Sequence, residues 1–305
     1  MKQFGSVFLL SLISIVGISQ GGPKNSKEAN TLLWKIAGKD LKQPSYLFGT
    51  IHMFCSDDEV LSDSLKYVIS KCEEVYLEVD ITDIFEMIGA IGQMKMRDDT
   101  TLTDLLSKED YEKVKNYFEK NSSMMPFSIL ETFKPILAAS TISESALTCE
   151  SVVFMEQLIA DEAKKSGKKM KGLETMSYQA SVLDHIPYKQ QATELVKYID
   201  NLNDEKGTDK EMDEMVSAYK NQDLKKMEEL MMKSDIGVNN YTDILLYNRN
   251  RDWVAKLKTL LPSKPLVIAV GAGHLPGEKG LINLLRKEGY TVTPVENKLK
   301  KMKSI

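Results

Sequence analysis

Histidine and cysteine are both scarce in this chain of 305 residues, with three of each. Cys55, Cys72 and Cys149 are too few for a disulfide scaffold and lack the C-x-x-C spacing of a cysteine-built metal cluster; buried free thiols are the favoured reading, and one bridged pair, such as Cys55 with Cys72, is the other. Basic excess is also lacking. A net charge of −4 gives no field to neutralise phosphates, so nucleic acid is excluded as an expected partner. Nine prolines and 17 glycines are too few for a collagenous or low-complexity chain, and 42% hydrophobic with 28% charged residues places the rest in the globular range. There is no G-x-S-x-G elbow, no H-E-x-x-H and no P-loop; Gly271-Ala272-Gly273 starts like a dinucleotide fingerprint but lacks the third glycine.

Long apolar runs are missing outside the first residues. There Lys2 precedes an apolar run from Val7 to Ile18, then Ser19, Gln20, Gly21 and Gly22, the basic, apolar and small-residue order of a secretory leader. The run is about 12 residues, short of the roughly 20 that span a bilayer. The expectation is a signal peptide over 1–22 and a secreted or periplasmic product without a stable transmembrane segment once the leader is removed. No cysteine follows the run to take a lipid.

What remains reads as one domain over 30–297, followed by a basic tail, 298–305. Sheet-forming parts are expected at 30–82, 168–175 and 264–296, with helical parts at 103–165 and 178–261. LLWKIAG and PSYLFGTIHMF, separated by Gly38, Lys39 and Asp40, predict a hairpin. Strand 44–54, a helix over 60–72 and strand 73–80 form a βαβ pattern, which argues for a parallel pair. Ser107 is expected to cap a helix holding Tyr111, Val114, Tyr117 and Phe118 on one face, and a helix over 151–167 stops at Gly167. Met212, Met215, Met227, Met231 and Met232 lie at loosely helical spacing and read as adaptable core. The fold class is α/β, a small mostly parallel sheet with a large helical middle section.

Two of the three histidines share one setting. Gly49-Thr50-Ile51-His52 and Gly271-Ala272-Gly273-His274 each end an apolar strand. Side chains just past the carboxyl ends of parallel strands converge on one crevice, and a glycine there lets the backbone turn sharply and approach closely. Glu78 in YLEVD and Glu174 in GLET are carboxylates inside apolar, strand-like runs, costly to bury unless paired or bound to a metal. Two histidines and two carboxylates suit Zn, Mn, Fe or Co. Arg249, in Asn248-Arg249-Asn250-Arg251-Asp252-Trp253, has two readings: it clamps a substrate oxygen or orients Glu78 or Glu174, or it is part of a charged helix face with Trp253 in the core. His185 has no comparable setting and reads as a surface or capping residue.

Taken together, YLFGTIHM, YLEVD, KGLET, the Arg249-Asn250 pair and GAGHLPGEKGLINLLRKEGYTVTPV resemble the TraB/GumN family, which includes PrgY and is related to the animal Tiki metalloproteases. The resemblance spans about residues 32 to 296. It implies an erythromycin-esterase/ChaN-like (Tiki-like) fold and a site of two G-x-x-H motifs with an acidic residue. It also implies a divalent metal, Mn, Co or Zn, acting on a peptide or protein substrate.

The resulting expectation is an exported metal-dependent peptidase or related hydrolase. His52, His274 and Glu174 hold the ion, Glu78 is the general base and Arg249 stabilises the oxyanion; exchanging the two glutamates fits equally well. Two other readings stay open. One is a non-catalytic module that binds or sequesters a peptide, and the other is a metal-independent esterase in which His52 and Glu78 activate water or substrate.

Overall fold

The computed structural model describes residues 30–55, 61–121, 125–145, 152–202, 208–233 and 241–298. The expected leader, Cys149 and nearly all of the basic tail lie outside them, as does part of the loop read at 203–210.

The six strands of the main sheet are β1 (Leu33–Ala37), β2 (Ser45–Thr50), β4 (Glu74–Leu77), β6 (Lys169–Gly172), β7 (Leu266–Gly271) and β8 (Thr291–Val295). Two more, β3 (Met53–Cys55) and β5 (Val152–Phe154), pair with each other in a separate antiparallel ribbon. The main sheet has the order β6-β4-β7-β2-β1-β8. The pairings β6/β4, β4/β7 and β7/β2 are parallel, while β2/β1 and β1/β8 are antiparallel, so the sheet is mixed with a parallel half. The hairpin forms as the sequence predicts, with Gly38, Lys39 and Asp40 all at positive φ in its turn. In two places the local pattern misled. The run 44–54 breaks after Thr50 and resumes as β3, and β2 and β4 are parallel but do not touch, because β7 lies between them. A strand more than 200 positions away in sequence leaves no trace in a local βαβ pattern.

Alternation along β7 shows how the sheet is buried. Val267 and Ala269 face a core shared with Leu65, Val68 and Ile69 of the helix Asp63–Lys71 and with Ile159 and Ala163 of the helix Met155–Lys165. Leu266, Ile268 and Val270 face the opposite core, made with Trp253 and Leu257 of the helix Arg249–Leu260 and Leu281 and Leu285 of the helix Leu281–Lys287. Successive side chains point to opposite faces, and a strand covered on both sides has no polar positions. A third core is built from helices alone, including Val114, Phe118, Leu130, Ile142 and Leu195. Its helix Lys108–Lys120 is capped by Ser107 as expected, with Val114 and Phe118 buried.

Gly167 ends the helix Met155–Lys165 at φ +67, and Lys168 N–H bonds back to the Ala163 carbonyl at 2.8 Å. This helix begins later than the sequence suggested because Val152–Phe154 pair as β5. Cys72 is a buried free thiol whose pKa burial pushes up to about 11. Among the described residues no helix is long and apolar enough to cross a membrane.

Candidate functional site

The parallel half of the sheet delivers its chemistry at one edge. Glu174 follows β6, Glu78 follows β4, His274 follows β7 and His52 follows β2, each one to three residues past the strand end. Both glutamates therefore sit just beyond the strands, not inside them as the apolar runs suggested. This is the crevice where open parallel sheets bind ligands.

The two G-x-x-H glycines are there for space. Thr50 pairs with Gly271 across the parallel ladder, and a Cβ on Gly49 would lie 3.0 Å from the Ala272 Cβ and 3.1 Å from the Leu275 Cδ2. A Cβ on Gly271 would lie 3.2 Å from Glu78 Oε1. Neither glycine has positive φ; Gly271 sits at φ −47. Close approach, and not the sharp turn expected from the sequence, is what these positions require.

Arg249 joins the two acids. Its Nε donates to Glu174 Oε1 at 3.0 Å and Oε2 at 3.2 Å, while Nη2 donates to Glu174 Oε1 at 2.7 Å and Glu78 Oε2 at 2.5 Å. The remaining Nη1 donates to the Leu245 carbonyl at 2.9 Å and faces His274 Nε2 at 3.3 Å. A guanidinium has five N–H groups, and this arrangement occupies all of them. Its plane lies over the Trp253 ring at 4.7 Å, and Trp253 Nε1 donates to Glu174 Oε2 at 2.9 Å. Of the two readings of Arg249, the geometry matches the one in which it orients both carboxylates.

A local irregularity makes this possible. Residues Asp243–Asn248 form a π-helical turn, and the Arg249 backbone N–H bonds to Leu246. The Leu245 carbonyl is thus available to the guanidinium.

Each acid and imidazole has a distinct electrostatic setting. Burial alone would raise the Glu78 carboxyl, but His274, Arg249 and the Gly271 N–H, which donates to Oε1 at 2.8 Å, outweigh it and hold the group at about 2. Gln179 Nε2 adds a bond to Glu78 Oε2 at 3.0 Å. Burial lowers the His274 pKa to about 4, so this imidazole is neutral at pH 7. At that pH, therefore, Arg249 and the Gly271 N–H keep Glu78 ionised. His274 Nδ1 lies 2.6 Å from Asn250 Oδ1, and its Nε2 lies 3.7 Å from Glu78 Oε1. His52 is different. Its side chain is 70% exposed, and a hydrogen bond from Nδ1 to Glu156 Oε1 at 2.9 Å raises its pKa. Thr50 Oγ1 donates to the same Glu156 oxygen at 2.9 Å.

These groups line one end of a cavity of about 730 Å³. Its other walls are mostly apolar, among them Met94, Met176, Met215, Met231, Leu245 and Leu246, with Ser140, Glu228 and Thr242 interspersed. Of the methionines expected as core, Met227 is in the core and Met215 packs against it, and both also line this space together with Met231 and Met232.

His52, His274, Glu78 and Arg249 share this cavity, whereas Glu174 lies behind Arg249 with both oxygens engaged. Among the described residues, no three His, Cys, Asp or Glu side chains stand together closely enough to enclose an ion. The donor chemistry nevertheless fits a divalent metal in part: two imidazoles with Nδ1 already engaged, and one ionised carboxylate 3.7 Å from the nearer Nε2. His185 stands apart, exposed, with Nδ1 3.1 Å from the Val182 carbonyl at a helix end. Glu156 and Gln179 went unmarked in the sequence. The first sits in a charged helical run and the second among polar residues, and only the tertiary fold brings either to the site.

The sequence model of the TraB/PrgY/gumN family matches residues 32–294. The chain belongs to that family. It is similar to Metalloprotease TIKI2 of Danio rerio, at 23% identity over 88% of this chain and 62% of the relative. Similarity to Metalloprotease TIKI1 of Homo sapiens is also 23%, over 87% of this chain and 62% of that protein. The Metalloprotease TIKI homolog of Amphimedon queenslandica matches at 23% over 93% of this chain and 66% of its own length. The chain therefore spans less than two thirds of the length of each of these three relatives. No solved structure matches it.

Proposed function

We propose that this member of the TraB/PrgY/gumN family is an exported, divalent-metal-dependent peptidase of erythromycin-esterase/ChaN-like fold that cleaves peptides at its Met-lined cavity. The observation that carries this reading is that His274, Glu78 and His52, all just past strand ends, line one large and mostly apolar cavity. The metalloprotease names of the similar proteins support it. The leader-like residues 1–22 support export.

The residues best suited to hold Mn, Co or Zn are His52, His274 and Glu78. Glu174 suits the ligand role less well, because it lies behind Arg249 and does not line the cavity, whereas Glu78 does. This favours the exchanged assignment of the glutamates. A carboxyl held at about 2 is a strong ionic ligand and a weak proton acceptor, so Glu78 fits coordination better than general base catalysis. An ion bound there would polarise the scissile carbonyl and acidify its bound water. Arg249 holds Glu78 in place and ionised; with every N–H engaged, it has none to offer a substrate oxyanion without rearranging. Apolar walls exclude water and take the substrate's apolar side chains, and methionine adapts to several shapes.

Calorimetric titration of the purified chain with Mn²⁺ tests the assignment. One ion per chain is expected, with binding lost in Glu78→Gln and His274→Ala. Undiminished binding in both variants overturns it.

A metal-independent hydrolase is the second reading, favoured by the separate His52–Glu156 pair, a carboxylate-oriented imidazole able to activate water by itself. Here Glu156, and not Glu78, is the partner of His52. Hydrolysis that resists a chelator and fails in Glu156→Gln would select it.

A further inference from the structure

Both imidazoles of the site are held from behind at the same ring nitrogen, His274 by Asn250 and His52 by Glu156. We infer that Asn250 and Glu156 are positioning residues that fix both rings in the Nδ1–H form and leave each Nε2 unprotonated, that of His274 facing the Arg249 Nη1–H that an electrophile in the cavity would have to displace. This rests on the proposed function for its purpose, but not for its test.

For Asn250 the argument is closed by hydrogen-bond accounting. Its Nδ2 donates to the carbonyls of Lys279 at 3.0 Å and His274 at 3.3 Å. Carbonyls only accept, so the amide cannot be flipped, and its Oδ1 must be the atom facing His274 Nδ1 at 2.6 Å. An oxygen acceptor there requires Nδ1 to carry the proton. The other ring nitrogen gives the same answer independently: Arg249 Nη1, which can only donate, faces Nε2 at 3.3 Å. The pair is fixed by the fold, since Asn250 is fully buried and His274 nearly so.

Glu156 acts likewise on His52. Its Oε1 accepts from Thr50 Oγ1 and from His52 Nδ1, both at 2.9 Å. Its position is set by the β3/β5 ribbon, in which Met53 pairs with Phe154, and by Met155 N–H donating to the His52 carbonyl at 3.3 Å. The ribbon thus carries the start of the helix Met155–Lys165 to the back of His52. A carboxylate or amide behind a ring nitrogen fixes the tautomer and aims the opposite lone pair, the arrangement that metal-binding imidazoles share.

With only three histidines in the chain, ¹⁵N-imidazole NMR of the labelled full chain can read each ring separately. Recorded at about pH 9, above the usual imidazole range, the wild-type spectrum should show His52 and His274 protonated at Nδ1 and bare at Nε2. Glu156→Leu should release His52 alone into a tautomer mixture, whereas Asn250→Leu should shift His274 alone and only in part, because Arg249 Nη1 still opposes a proton on its Nε2. Asn250→Asp and Glu156→Gln, which keep an oxygen acceptor, should restore the native pattern. Where the wild-type chain binds Mn²⁺, the two Leu variants should bind it about 10- to 100-fold more weakly. Nε2–H protonation in the wild type, or tautomers unmoved by both Leu variants, overturns the inference. If Asn250→Leu fails to fold, the wild-type tautomers and the Glu156 pair still decide. Should no metal bind at all, the peptidase reading fails while the tautomer result stands on its own.

Discussion

Arg249 holds Glu174 in a two-pronged grip, with Nε and Nη2 at 3.0 Å and 2.7 Å from the same carboxylate, and turns its remaining edge to Glu78 and His274. The guanidinium is thus the hub on which the acids and the buried imidazole are registered. Glu174 is 6% exposed at its side chain, so its removal leaves the buried Arg249 Nε–H and Trp253 Nε1–H without their acceptor and Glu78 as the guanidinium's remaining carboxylate. Glu174→Ala should cost about 3–5 kcal/mol in urea unfolding, the range for breaking a buried pair from one side. A loss under about 1 kcal/mol would mean that Arg249 finds water or another acid when its partner goes.

Acid should loosen the protein in two stages. His274 has a folded pKa of about 4 against 6.5 when unfolded, so the unfolded state takes up its proton first and stability falls as pH drops from 6.5 towards 4. Glu78 has a folded pKa of about 2 against 4.5, so its contribution is complete above 4.5 and is lost as pH drops towards 2. Urea midpoints recorded from pH 8 downwards should show the first decline in the wild type and a flatter profile between 6.5 and 4 in His274→Gln. An identical slope in both proteins would assign the decline to other groups.

Two glycine-to-alanine changes should have opposite signs. At Gly49 the new methyl meets Ala272 at 3.0 Å and Leu275 at 3.1 Å, and overpacking of this kind costs about 1–3 kcal/mol. At Gly92, in the helix Ile84–Met94, nothing lies within 4 Å. Gly92→Ala should stabilise by about 0.4–1 kcal/mol, through unfolded-chain entropy and helix propensity. Thermal melts of the two variants beside the wild type check both signs.

Away from the sheet, the helical part has its own polar anchor. Lys134 is 0% exposed, with Nζ 2.8 Å from Asp184 and 2.7 Å from the Ala180 carbonyl. Lys134→Ala should destabilise by about 3–5 kcal/mol, because Asp184 is left buried with only Arg97 and Tyr188 as partners. Equilibrium unfolding gives the number, and an effect below about 1 kcal/mol contradicts it.

The sequence exposed those parts of the fold and site that local rules govern. The hairpin turn at Gly38 to Asp40, the Ser107 cap, the Gly167 stop and both strand-end histidines each depend on a few neighbouring residues. Pairings set by distant packing stayed hidden. Nothing near β2 or β4 announces that β7 will lie between them, and nothing in the run at Glu156 announces that the ribbon will press it against His52. Glu174 and Glu78 looked alike in sequence because each follows a short apolar strand. Only the tertiary fold, which sets Glu174 against the Nε and Nη2 edge of Arg249, distinguishes the one the guanidinium grips from two sides.

The central claim is that His274, Glu78 and His52 carry metal-dependent peptide cleavage. It is tested most directly by incubating a mixed peptide library with the chain and reading new termini by mass spectrometry, with Mn²⁺, Co²⁺ or Zn²⁺ and with a chelator. New termini are expected beside apolar side chains in the presence of metal. They should vanish with the chelator and in both His274→Ala and Glu78→Gln. Cleavage that persists with the chelator and in both variants, or no cleavage under any of the three metals, contradicts the claim.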